Sequence, residues 1–150
     1  MLDKSEQRVV DDIAAFGWHL IGVLPDQHGP GFMCSIGMMQ PLNHPEIIIF
    51  GLNHQLMKQI INNMGKEIQE GRCFTEPILY DGLVAHFACK MHVVSKQSHE
   101  RYLGYAMWHR RHVGNAGSLE VVQCLWPDNA GLFPDEPGFN PDIAGLQPLL

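Results

Sequence analysis

The sequence predicts an α+β fold: a mainly antiparallel sheet with two or three helices. Three observations lead there. Short apolar runs bounded by turn residues follow one another directly along much of the chain, as in hairpin-connected strands. Only two joins carry a helical period, fewer than a doubly wound parallel sheet needs. One run, Ile47-Ile48-Ile49-Phe50, has no alternation and reads as a strand covered on both faces.

Residues 3–16 read as a first helix. Asp3 or Ser5 caps it, Val9, Ile13 and Phe16 share a face, and Gly17 ends it. Three strand-like runs follow: Trp18–Leu24, Phe32–Met39 and Glu46–Leu52. The clearest element is a helix over 54–70. Asn53 is a good N-cap, Leu56, Ile60, Met64 and Ile68 recur every four residues beside Met57 and Ile61, and Gly71 supplies the stop. Leu79-Tyr80-Asp81-Gly82-Leu83-Val84 predicts a β-hairpin, because Asp-Gly takes the positive φ angles of a type I′ turn; its second arm runs toward Val94. Ser98 is placed to cap another helix that turns Tyr102, Leu103, Ala106 and Met107 inward. A Gly-Asn-Ala-Gly turn then leads to a last strand, Leu119–Trp126. The final 25 residues hold five of the ten prolines, so no regular element is expected there. Trp126, Leu132, Phe133 and Phe139 nevertheless predict that this tail is docked.

Composition narrows the function classes. A chain of 150 residues is the size of one domain, and residues 1–150 are read as one. No apolar run approaches the roughly 20 residues of a membrane span, and the charged N-terminus has no signal-peptide core. The expected location is therefore the cytoplasm, with Cys34, Cys73, Cys89 and Cys124 reduced. Net charge is −6, and the only dense basic spot is His109-Arg110-Arg111-His112, too little for a nucleic-acid footprint. An acidic surface suits a small ligand or a basic protein partner.

Motifs for familiar chemistry are incomplete. His86, Cys89 and His92 have ligand-like spacing, but on a strand Cys89 points away from His86 and His92, which share a face with Lys90. His109 and His112 lack the Glu of an H-E-x-x-H pattern and any third ligand, so no metal site is expected. Ser35 lacks a nucleophile-elbow context, and Cys34 and Cys89 read as buried structural residues. Gly29-Pro30-Gly31 reads as a turn, His44-Pro45-Glu46 as a strand start, and Asp128 as the cap of its own loop.

Several phrases taken together resemble one family. They are Gly17-Trp-His-Leu, Gly29-Pro-Gly-Phe-Met-Cys-Ser-Ile-Gly37, His44-Pro-Glu-Ile-Ile-Ile-Phe-Gly-Leu52, Gln123-Cys-Leu-Trp-Pro-Asp128, Gly131-Leu-Phe-Pro134 and Gln147-Pro-Leu-Leu150. The set and its order resemble the bacterial family known as domain of unknown function 4262. Cys34 stands where an aromatic is common in that family, and Asp135 where Trp is. The first half also resembles the flavin reductase type of FMN-binding split barrel. That second resemblance implies a split-barrel-like sheet, a possible homodimer with its site between subunits, and FMN as first cofactor candidate. Its site would lie where Ser35, Ile36 and Gly37 meet Gly51 and Asn53, with small residues and a helix N-terminus receiving phosphate and a flat ring. The alternative reading is a protein-interaction module, such as an immunity or antidote protein masking a basic toxin. No catalytic residue is identified, and the chemistry of an enzyme is left open.

Overall fold

The computed structural model describes residues 1–150 and has a six-stranded sheet in the order β1-β2-β3-β6-β5-β4. The strands are β1 (His19–Val23), β2 (Phe32–Ile36), β3 (Glu46–Phe50), β4 (Leu79–Tyr80), β5 (Cys89–Val93) and β6 (Val121–Leu125). All pairings are antiparallel except β3 with β6, which is parallel. The sheet is open, with β1 and β4 as its edges, so the closed barrel that the flavin-reductase resemblance implies is not formed.

Helices cover both faces. α1 (Lys4–Phe16) and α4 (Gly104–His112) pack on one, α2 (His54–Gln69) on the other. This layering explains why every residue of β3 and β6 is buried: they form the parallel pair at the sheet centre, and both faces of each are covered. Ile47 and Ile49 face α2, whereas Ile48 and Phe50 face α1 and α4.

Local chemistry accounts for the best-defined ends. Asp3 and Glu6 exchange hydrogen bonds in a capping box, with Glu6 N–H to Asp3 Oδ1 at 2.7 Å and Asp3 N–H to Glu6 Oε1 at 3.0 Å. Gly17 closes α1 at φ +100°. Asn53 Oδ1 accepts from Leu56 N–H at 2.8 Å, and the predicted stripe of α2 buries Met57, Ile60, Ile61, Met64 and Ile68.

Two sequence expectations are corrected. Asp81-Gly82 does not make a two-residue hairpin: Leu79 pairs with Lys90 and Tyr80 with Cys89, leaving residues 81–88 as a loop. The segment is drawn instead toward α2, where Leu83 is buried and its carbonyl accepts from Asn63 Nδ2 at 2.9 Å. The helix expected after Ser98 is broken. A 3-10 turn (Lys96–Ser98) runs into α3 (His99–Tyr102), and Leu103, at φ −124° and ψ 34°, separates α3 from α4. Ser98 already has helical backbone and caps nothing with its side chain. Leu103 and Ala106 nonetheless point into the core as expected.

The tail is docked by buried amides. Gln147 exchanges two hydrogen bonds with the Trp126 backbone at 2.8 and 3.0 Å. Gln123 Nε2 donates to Pro148 O at 2.8 Å, and Trp126 Nε1 donates to Phe50 O at 2.7 Å. Asp128 collects the N–H groups of Ala130, Leu132 and Asn140, each at 2.9 Å, and these backbone donors, Leu132 foremost, hold its carboxyl below the usual range. It is the loop cap that the sequence suggested. No helix is long and apolar enough to cross a membrane.

Candidate functional site: a cation-lined cleft on the edge strand

The five residues expected to form one site are not brought together. β2 and β3 pair with Phe32 opposite Phe50 and Cys34 opposite Ile48, so Gly37 and Gly51 lie at opposite ends of the pair. Gly51 N–H donates to Gly31 O, and Gly31 is six residues from Gly37, about 20 Å along a strand. Asn53 is occupied in capping α2. A Cβ on Gly51 would meet Leu146 O at 2.4 Å, so the C-terminal tail already fills the space beside it. Gly51 and Asn53 line only a small pocket of about 180 Å³.

Ser35 and Gly37 do build an anion cradle, but the anion is the chain's own. Glu46 is 1% exposed. Its Oε1 accepts from Ser35 Oγ at 2.7 Å and Met38 N–H at 3.2 Å, its Oε2 from Gly37 N–H at 2.9 Å and Met39 N–H at 3.4 Å. Ser35 Oγ in turn accepts from Ile47 N–H at 2.9 Å. Burial pushes the Glu46 carboxyl up from its ordinary range, and the four donors oppose that push. Ile36 is fully buried on the opposite face, and a Cβ on Gly37 would meet Ile13 Cδ1 at 2.3 Å. Nothing there is open to a flat ring.

Three of the four thiols lie in the core. Cys34, Cys89 and Cys124 are buried and free; burial, then Glu46, pushes the Cys34 thiol up to about 12. Cys73 is free and exposed. Cys89 lies in the core on the α2 face, whereas His92, on the other side of β5, hydrogen-bonds Leu150 O at 2.8 Å through Nε2. His86 is in the loop before β5 with φ +83°. No three His, Cys, Asp or Glu side chains converge to hold a metal ion. His44 is structural: Nδ1–H donates to Pro45 O at 2.8 Å and Nε2 accepts from Phe74 N–H at 3.0 Å. Both bonds suit the neutral ring, and burial holds its pKa below the ordinary value.

The largest opening is a cleft of about 850 Å³ along the free edge of β1. Its floor is His19–Gly22 of β1, one wall is α1 and the other α2. α2 presents His54, Lys58, Asn62 and Lys66, spaced four apart and hence stacked along one side of the helix. α1 contributes Arg8 and Asp12. Two glycines set the close approach of α2 to this edge. A Cβ on Gly22 would meet His54 Cε1 at 2.0 Å, and one on Gly65 would meet Trp18 Cη2 at 2.6 Å. Trp18 Nε1 donates to Asn62 Oδ1 at 3.0 Å, which fixes that wall.

The charges of the cleft are one-sided. Arg8, Lys58 and Lys66 have no carboxylate within 4.0 Å, since the Lys and Arg ion pairs of the chain belong to Arg72 and Lys90. The one acidic lining residue, Asp12, is held by His19 Nδ1 at 2.6 Å. Sequence reading missed this site. Its signal was the polar stripe beside the apolar one in α2; the facing Arg8 came from a helix whose place was not readable.

The fold and site define a small α+β domain with an open mixed sheet and a basic cleft at one edge. Residues 12–140 match the family model described as Domain of unknown function (DUF4262), and the chain belongs to that family. No curated protein and no solved structure matches it.

Proposed function

We propose that this domain binds an anionic small molecule of nucleotide size in the cleft between α1, β1 and α2. The observation that carries the reading is the set of unpaired cations, Arg8, Lys58 and Lys66, around one cavity of a chain whose net charge is −6. In an acidic protein, cations facing one opening without carboxylate partners suit an anion from outside. The volume of about 850 Å³ is within the usual range of small-molecule sites. Phe16 and Tyr105, both exposed at its margins, offer aromatic faces for a planar ring. FMN is the first ligand to test, at this cleft and not at the β2–β3 end. Quenching of its fluorescence should report micromolar binding, and Lys58→Ala with Lys66→Ala should weaken it by about tenfold or more. Absence of binding by FMN, FAD or ATP at about millimolar concentration refutes the reading.

A second reading, an interaction module, is favoured by β1 being a free sheet edge on the cleft floor. An extended segment adding there would pair with backbone and face cations, so it would be acidic. Masking of a basic partner would use the remaining surface, where the exposed carboxylates other than Asp12 lie. An acidic peptide that competes with FMN would move the assignment to this reading.

A further inference from the structure

A second cavity, of about 470 Å³, lies between the 3-10 turn, α3 and the C-terminal end of α4. Arg110, one of its lining residues, is only 7% exposed. Its Nε donates to Ser118 Oγ at 3.1 Å, and no carboxylate lies within 4.0 Å of its guanidinium. A guanidinium is charged at any physiological pH and carries five donors, so this one has donors to spare and no counter-ion. His99 lines the same cavity, is 7% exposed, and its buried Nε2 has no partner. Lys96 and Arg111 are the other two cations of the lining, both exposed and both without an ion pair, against a single acid, Glu100.

Cations on the last turn of a helix are ordinary, because the macrodipole favours them there. That accounts for the sign of Arg110 and Arg111. It does not account for the burial of Arg110, nor for Lys96 and the orphaned His99 Nε2 arriving from a different segment. Buried polar groups without partners are rare in native proteins, and an absent ligand is one of their recognised causes.

We infer that this cavity is a binding site for a phosphate monoester, its phosphate held by Arg110, Arg111 and Lys96 with His99 donating through Nε2. Three cations match a dianion better than a carboxylate, and the Arg fork matches phosphate geometry. The cavity is wider than a phosphate alone needs, and Met107 and Leu119 give its organic part an apolar wall. Burial and Lys96 hold the pKa of His99 below its ordinary value, so the ring is neutral at pH 7 and keeps one N–H to donate. This site shares no lining residue with the cleft on β1 and does not depend on what binds there.

The test is an NMR titration of the full chain at constant ionic strength with phenyl phosphate, inorganic phosphate and benzoate. The imidazole signals of His99 and the Nε–H signal of Arg110 are followed, with those of His54 and His19 reporting the other cleft. Saturable shifts at His99 and Arg110 with phenyl phosphate, and none with benzoate, are expected. Equal affinity for inorganic phosphate would identify free phosphate as the source of the same chemistry. The Lys96→Gln/Arg111→Gln double variant changes only exposed side chains, and it should weaken binding about tenfold or more. Arg110→Met should abolish it. No movement of His99 or Arg110 with either phosphate at about 10 mM, or equal affinity in the double variant, overturns the proposal.

Discussion

Glu46 and Arg110 are both buried charge-bearing side chains, and the fold treats them in opposite ways. Glu46 meets four donors from Ser35, Gly37, Met38 and Met39. Arg110 meets one neutral hydroxyl and no anion. The first arrangement is complete within the chain and ties the start of β3 to the end of β2; the second is incomplete and opens on a cavity. Burial of a charge is thus no mark of function by itself. What separates a structural charge from a receptive one is whether its hydrogen-bonding capacity is already used.

The comparison predicts unequal costs on truncation. Glu46→Ala should be the most destabilising change considered, at about 4 kcal/mol or more, because it orphans four buried donors at roughly 1 kcal/mol or more each. Glu46→Gln keeps one acceptor oxygen and should lose less. Urea melts of both variants check this, and a Glu46→Ala loss below about 1 kcal/mol would mean that the cradle holds nothing together. Ile60→Ala supplies the apolar yardstick. Ile60 is fully buried under the sheet, and its truncation should cost about 2–5 kcal/mol. Arg110→Met should fall far below both, within about 1 kcal/mol of the parent in phosphate-free buffer, since it removes a charge that has no counter-ion, and Ser118 Oγ keeps its own bond to Asn115 O. A loss as large as that of Glu46→Ala would erase the distinction between the two charges.

How much of this was legible follows from the range of the interactions. α2 was readable because two local signals agreed, the Asn53 cap and the four-residue apolar stripe. The burial of β3 on both faces was readable from the absence of alternation in Ile47–Phe50. The hairpin at Asp81-Gly82 failed because a local turn preference lost to the burial of Leu83 beneath α2 and its bond to Asn63, which lies 20 residues away. The parallel join of β3 and β6, with Glu46 opposite Val121, spans half of the chain and leaves no local trace. At the β2 end, the sequence offers Ser35 and Gly37 as donors to a phosphate; in the fold they meet the carboxylate of Glu46, 11 residues from Ser35, a pairing that no local pattern announces. His109-Arg110-Arg111-His112 was noticed as a basic spot, yet its meeting with Lys96 and His99 depends on the break at Leu103.

The smallest predicted effect uses pH to separate the satisfied groups by sign. His44 makes two hydrogen bonds as a neutral ring, and its folded pKa is lowered by burial. As pH falls below the ordinary value of 6.5, the unfolded chain takes up a proton that the folded chain refuses, so stability is lost from there down to the folded pKa. His99 and His109, also lowered by burial, act in the same direction. Glu46 acts in the opposite one. Its folded pKa is raised above 4.5, so between the two values the folded chain holds a proton that the unfolded chain has released, and acidification through that window adds stability. Urea midpoints measured between pH 7 and about pH 4, a range that covers both windows, should therefore respond oppositely to two substitutions. His44→Gln, which keeps an acceptor for Phe74 N–H, should lose less stability on acidification than the parent. Glu46→Gln, which cannot take up the proton, should lose more. The same pH dependence in the parent and His44→Gln would show that this ring is not the neutral, doubly bonded group its geometry describes.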